Sequence, residues 1–349
     1  MQPEQCAKRL QTKSKLTLRR LLRWGSVIML ETERGLYQLD PEQKTAARQD
    51  TLRGRELLGV ATFQQKALAL CREKSSLSLW HQQGDDSWLP IELPEVLQTS
   101  RKSLPLLIAD DTTIVLLQSG SLAFYREQQW RLSPWRREER SLVESKRYVI
   151  SKDQLWIATN RGEWGGGLVS YDLNKELMNP APKHFGVKAL PVTALRQNPG
   201  GSLWFSEGIQ RLGLARGGLY RARGDAWECF LYSSHLPPHQ LAIIHPQEGW
   251  RARIEAEREQ LSQSLTEWGL APCAIASFDF SEEGVPYVLT SRYGPVVFDG
   301  QDWTPLFSWW PYTPVVDVLI AGDTVFVATL RAGVLLWDKA SGELAHIEL

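Results

Sequence analysis

The sequence predicts an all-β fold, a single seven-bladed β-propeller with a helical insertion between blades five and six. Three observations predict it. A short grammar recurs along the chain: an apolar strand, a turn, a Gly-bearing loop and an alternating strand that ends near Tyr. Most steps of the recurrence are about 40 to 48 residues, the length of a four-stranded blade, and one of about 82, between units five and six, is a blade plus an insertion. The 349 residues contain 15 Trp and 26 Gly, which suits many short strands joined by tight turns, with flat side chains filling the wedges between sheets.

In chain order the units are SVIMLETERGLYQLD (26–40), ALALCREKSSLSLWH (67–81), TIVLLQSGSLAFYREQQW (113–130), QLWIATNRGEWGGGLVSYDL (154–173), 192–230, VPYVLTSRYGPVVFDGQDW (285–303) and TVFVATLRAGVLLWDKASGEL (324–344). Their inner strands are expected to start near residues 18, 56, 104, 146, 191, 273 and 314. A single blade leaves a face unburied, and radial packing against neighbours covers it while leaving only short edges. Ring closure has two solutions: packing of the first blade on the last, or an added strand from residues 5–12. The expected organisation is a basic tail over 1–15 and the propeller over 16–349, with an insertion at 235–271. Arg19, Arg20 and Arg23 extend the basic character of the tail to residue 24, a segment expected to be solvated.

The insertion opens on a His- and Pro-rich loop, His235 to Pro246, and continues as a helix from about residue 248. Trp250, Ile254, Leu261, Leu265 and Trp268 share one side at helical spacing, and Gly269 ends it. This apolar stripe either folds back over the rim or docks a partner.

The loops between second and third strands emerge on one face. Reading them in order puts an Arg in six of the seven blades: Arg34, Arg72, Arg161, then Arg211 and Arg216 in a long loop over 209–218, Arg292 and Arg331. Guanidinium groups present a planar fork of donors suited to carboxylates. Trp164 projects beside Arg161 from an enlarged Gly-bearing loop, and exposed Trp with Arg is the composition of an interface hot spot. The competing account is that each Arg precedes a turn and pairs with a nearby Glu such as Glu33, Glu73 or Glu163.

Composition narrows the function. Forty basic and forty acidic side chains cancel, which counts against nucleic acid and membrane surface as general partners. No stretch approaches the roughly 20 apolar residues of a membrane span, and Val27–Leu30 is too short for the core of an export signal. Cys6, Cys71, Cys229 and Cys273 are widely spaced, as fits reduced thiols in the cytoplasm.

Leu155–Thr159 with Gly166–Asp172, and Leu203–Phe205 with Gly217–Arg221, resemble the propeller repeats in the sensor regions of two-component regulators. Unit seven is similar to a WD-repeat ending. The stretch NPGGSLWFSEGIQRLG, 198–213, resembles the repeat of streptogramin lyases, a likeness that implies histidine and carboxylate groups around a central metal. Here the six His avoid the predicted inner strands, and His235, His239 and His245 match no compact zinc spacing. No metal, cofactor or catalytic residue is expected.

The reading is therefore a non-enzymatic interaction module, an adaptor or sensor subunit of a bacterial complex, whose Arg-bearing loop face and insertion engage an acidic protein partner. The alternative is a small-ligand receptor or lyase-type enzyme working in the central funnel. That alternative needs titratable residues at the axis, and the inner strands supply three: Arg196, Asp279 and Asp317.

Overall fold

The computed structural model describes residues 16–83, 87–98, 106–118, 121–134, 147–160, 166–179, 191–211, 214–223, 226–234, 273–291, 293–298, 303–307, 314–330 and 333–349. The insertion at 235–271 and the tail at 1–15 lie outside them. The described residues form seven antiparallel sheets in which the strands follow one another in chain order. Blade two carries one extra two-residue strand, Thr51–Leu52, paired with the start of its inner strand.

The inner strands are Leu18–Trp24, Arg55–Phe63, Leu106–Ala109, Arg147–Ser151, Val192–Gln197, Ile275–Phe280 and Val315–Ala321. Each begins within two residues of its expected start. A short helix not anticipated from the sequence, α1 (Glu95–Gln98), tucks Leu97 under the connection from blade two to blade three.

Between each pair of neighbouring blades lies one apolar cluster. Blades one and two share Met29, Val60 and Ala69; blades two and three share Leu70, Leu79 and Leu116. Blades three and four share Phe124 and Ile157, and blades four and five share Ala158 and Phe205. Trp204 and Phe278 join blades five and six, and Tyr287 and Val327 join six and seven. The seventh cluster closes the ring, with Leu18, Leu21 and Leu30 of blade one against Leu319, Phe326 and Ala328 of blade seven. Among the described residues closure rests on packing and on side-chain contacts across the seam, each blade being built from contiguous strands; the alternative, an added strand from residues 5–12, lies outside them. The described tryptophans lie in or against these clusters. Trp24, Trp204 and Trp227 are buried, and Trp156 meets Trp227 edge to face at 5.8 Å.

Two glycines correct the expected loop over 209–218. The second and third strands of blade five run on as Leu203–Arg211 and Leu214–Arg223, making a long hairpin in place of a loop. Gly217 lies inside it because a Cβ there would sit 2.6 Å from the backbone nitrogen of Ile275, at the start of blade six. Gly208, its cross-strand partner, is crowded by the same backbone. These glycines permit a close strand approach and do not mark a turn. Likewise Gly166 and Gly167 belong to the third strand of blade four, paired with Asn160 and Thr159.

Candidate functional site

Five inner strands share one irregularity. The pairing of first to second strand slips by one residue between Leu18 and Arg20, Leu57 and Gly59, Val192 and Ala194, Ile275 and Ser277, and Val315 and Asp317. A bulge adds a residue and re-aims the side chain that follows it. The residues that follow are Arg20, Gly59, Ala194, Ser277 and Asp317: three polar side chains and two small ones. In blade four, Arg147 opens the inner strand. Thus the geometry of the strand start brings polar groups to the axis although the strands read as mostly apolar.

Asp317 is the hub. Its side chain is 1% exposed. Its Oδ2 accepts the backbone N–H of Leu21 across the closing seam at 2.9 Å, and its Oδ1 accepts Arg196 at 2.9 Å and the Ser277 hydroxyl. Arg147 approaches Oδ2 at 3.6 Å. Burial raises the pKa of this carboxyl, but Arg196, Arg147 and the Ser277 hydroxyl outweigh burial and hold it below the ordinary carboxylate value.

Arg196 reaches from blade five past blade six to blade seven. Beyond Asp317 it donates to the Phe278 carbonyl at 2.7 Å and the Val318 carbonyl at 3.2 Å. Burial disfavours its charge, yet Asp317 and Asp279 more than compensate, so its pKa is raised. Asp279 accepts the Ile320 N–H at 2.7 Å and stands 3.7 Å from Arg196. There burial prevails, and the Asp279 carboxyl titrates above the ordinary range. Arg23 donates to the Ile320 carbonyl. Arg20 lies opposite Glu31 in the strand register and bonds it at 2.5 Å.

The two axial aspartates therefore respond oppositely to charge removal. The raised pKa of Asp279 means that folding penalises its ionised form. Its contribution to stability grows as the pH falls from neutral through that pKa toward the unfolded value of about 3.9. Asp279→Asn keeps an acceptor for Ile320 and is expected to change unfolding free energy at pH 7 by under about 1 kcal/mol or to stabilise. It should also flatten the gain seen on mild acidification, as measured by urea unfolding at pH 5 and 7.

The residues expected on the loop face distribute as follows. Arg34 is exposed at the turn between Thr32 and Gly35. Arg72 lies inside the second strand of blade two, not in the loop, and grips Glu56 with both prongs at 2.8 and 2.9 Å. The partner is thus a Glu across the sheet, while Glu73, the neighbour in sequence, pairs with Arg55 at 3.1 Å. Arg211 and Arg216 lie on the strands of the blade-five hairpin. Arg161, Trp164, Arg292, Arg331, Trp250 and Trp268 lie outside the described residues. Among the described residues no group of three His, Cys, Asp or Glu is placed to hold a metal ion, and no helix is long and apolar enough to cross a membrane.

The basic segment over 1–24 is not uniformly solvated, for Arg20 and Arg23 belong to the inner strand of blade one and are engaged there. Sequence reading found Arg196, Asp279 and Asp317 but missed Arg20, Glu31 and Arg147. For Arg20 and Arg147 the signal was the start of the inner strand itself; Glu31 lies on the second strand of blade one, opposite Arg20.

No protein-family model matches the sequence, and none of the curated proteins matches it. Solved structures do. YCF48 from Cyanidioschyzon merolae is 12% identical with a TM-score of 0.52, over 95% of this chain and 97% of that one. A YCF48 structure bound to D1 peptide is 11% identical with a TM-score of 0.50, over 93% and 92%. The extracellular domain of a putative one-component system from B. thetaiotaomicron is 13% identical with a TM-score of 0.51, over 93% of this chain and 38% of that one. This chain thus spans well under half the length of that sensor domain. At these identities the likeness establishes the fold: a seven-bladed β-propeller of the kind found in sensor domains.

Proposed function

We propose that the chain is a non-enzymatic protein-interaction module, an adaptor or sensor subunit that receives an acidic segment of a protein partner on the face bearing the second-to-third-strand loops. One observation carries this reading. The axial carboxylates are engaged in joining blades, Asp317 to blades one, five and six and Asp279 to blade seven, so acid–base work at the axis would compete with holding the ring. The exposed Arg34 on the loop face is in keeping with a cationic docking surface, and a propeller of the same fold is known with a peptide bound. The insertion leaves blade five toward that face and is proposed to border it.

A fluorescent peptide carrying six consecutive Glu is the probe. Wild type should bind it with an affinity that falls as salt rises. Reversing Arg161, Arg292 and Arg331 to Glu should weaken binding at least tenfold while the unfolding midpoint stays put, since exposed loop changes cost little stability. Undiminished binding by the triple variant would sink the proposal. The proposed setting is the cytoplasm. Burial pushes the Cys71 thiol up to about 12, an inert side chain suited to a reducing compartment. Fractionation of the native host checks it.

A further inference from the structure

Not every cation at the axis is satisfied to the same degree. Arg196 makes three hydrogen bonds, and Arg20 is held by Glu31. Arg147 differs. Among the described residues its one ion pair is Asp317 at 3.6 Å, beyond hydrogen-bond reach, and that carboxylate is already committed to Leu21, Arg196 and Ser277. A guanidinium carries five N–H donors, so most of those on Arg147 point to no acceptor among the described residues. Yet the side chain is set into the wall, 21% exposed. Burial lowers its pKa, and Arg196 and Arg20 lie within electrostatic range and lower it further. Among the described residues cations outnumber carboxylates here: Arg19 and Arg20 both pair with Glu31, and Arg147 and Arg196 both approach Asp317.

Position adds to this. Arg147 is the first residue of its strand, at the end of the axis where the inner strands begin and the second-to-third-strand loops emerge. It is therefore reachable from that face.

We propose that this mouth of the axis is a carboxylate-binding site, with Arg147 as anchor and Arg20 as the second cation. A planar monoanion matches a guanidinium fork. A phosphate dianion would instead be repelled by Asp317 and Glu31. The carboxylate can belong to a free small acid or to the end of a peptide, and the site stands independently of the loop-face reading.

The test is an NMR titration of the full chain, following the Arg147 Nε–H resonance at constant ionic strength. One arm adds acetate. The other adds N-acetyl-trialanine with a free C-terminal carboxylate, beside its C-terminal amide. The expected result is a saturable shift with either carboxylate and none with chloride or the amide. Saturation by acetate and tripeptide alike assigns a free acid as sufficient; saturation by the tripeptide alone assigns a chain end. Arg147→Gln, read at the Arg20 resonance, should weaken binding at least tenfold and Arg147→Lys severalfold, because the charge remains while the fork is lost. A matching unfolding midpoint shows the variants folded. No saturable shift in either arm overturns the site. So does inorganic phosphate binding tighter than acetate, or equal affinity in the Gln variant. Arg34→Glu, which lies on the rim, should leave acetate binding unchanged even if it weakens the acidic peptide. The two proposals thereby fail separately.

Discussion

Asp317→Ala should cost about 3–5 kcal/mol of unfolding free energy, the penalty of stranding buried cations and donors by removing one partner. Its carboxylate is shared by Leu21 of blade one, Arg196 of blade five and Ser277 of blade six, so one truncation loosens three neighbours and the seam that closes the ring. Denaturant unfolding at pH 7 measures the loss. A cost under 1 kcal/mol would mean that the axial network contributes nothing to closure. The pH dependence has a defined sign. Because the folded pKa of Asp317 is depressed, its stabilisation is fully present above about pH 3.9 and is lost as the pH falls through the folded value. Asp317→Asn should therefore be less stable than wild type at pH 7 and converge on it in strong acid.

Phe205→Ala should cost about 3–5 kcal/mol by a different route, the loss of transfer free energy plus the cavity left behind. Phe205 is fully buried. Its ring stacks on Tyr220 at 4.8 Å and meets the edge of Trp227 at 4.8 Å, within the cluster joining blades four and five. Phe205→Leu, which refills most of the volume, should recover more than half of the loss. If both variants unfold at the wild-type midpoint, this wedge is not a principal element of the core.

The two expectations separate what the sequence shows from what it conceals. The apolar wedges were legible, since apolar strands recur in every blade, with Leu-Trp in four of the seven, and inner strands begin within two residues of their expected starts. The loop over 209–218 was misread because Gly217 and Gly218 look like turn residues, whereas close approach of the Ile275 backbone is what requires a missing Cβ at Gly217. Tight turns were equally silent. Gln64-Gln65 and Glu127-Gln128 both adopt positive φ at two successive positions, the twist a two-residue hairpin needs, without the Asn-Gly that announces it. The axis was half legible. Arg196, Asp279 and Asp317 interrupt apolar strands and are visible for that reason. Arg20 was hidden in a basic stretch and follows a bulge that re-aims it, and Arg147 falls just at a strand start, where the sequence does not mark the first paired residue.

Closure by packing also sets an order of events during synthesis. Each blade is a local unit of contiguous strands, able to pair as soon as its own residues leave the ribosome. The seam of Leu18, Leu21 and Leu30 is made before blades two to six, and its cover, Leu319, Phe326 and Ala328, only after them. While those blades are synthesised, that early surface, and the Leu21 N–H that Asp317 will accept, wait for blade seven. The nascent protein therefore carries a sticky open end through the making of five blades, and its aggregation risk is concentrated before blade seven emerges.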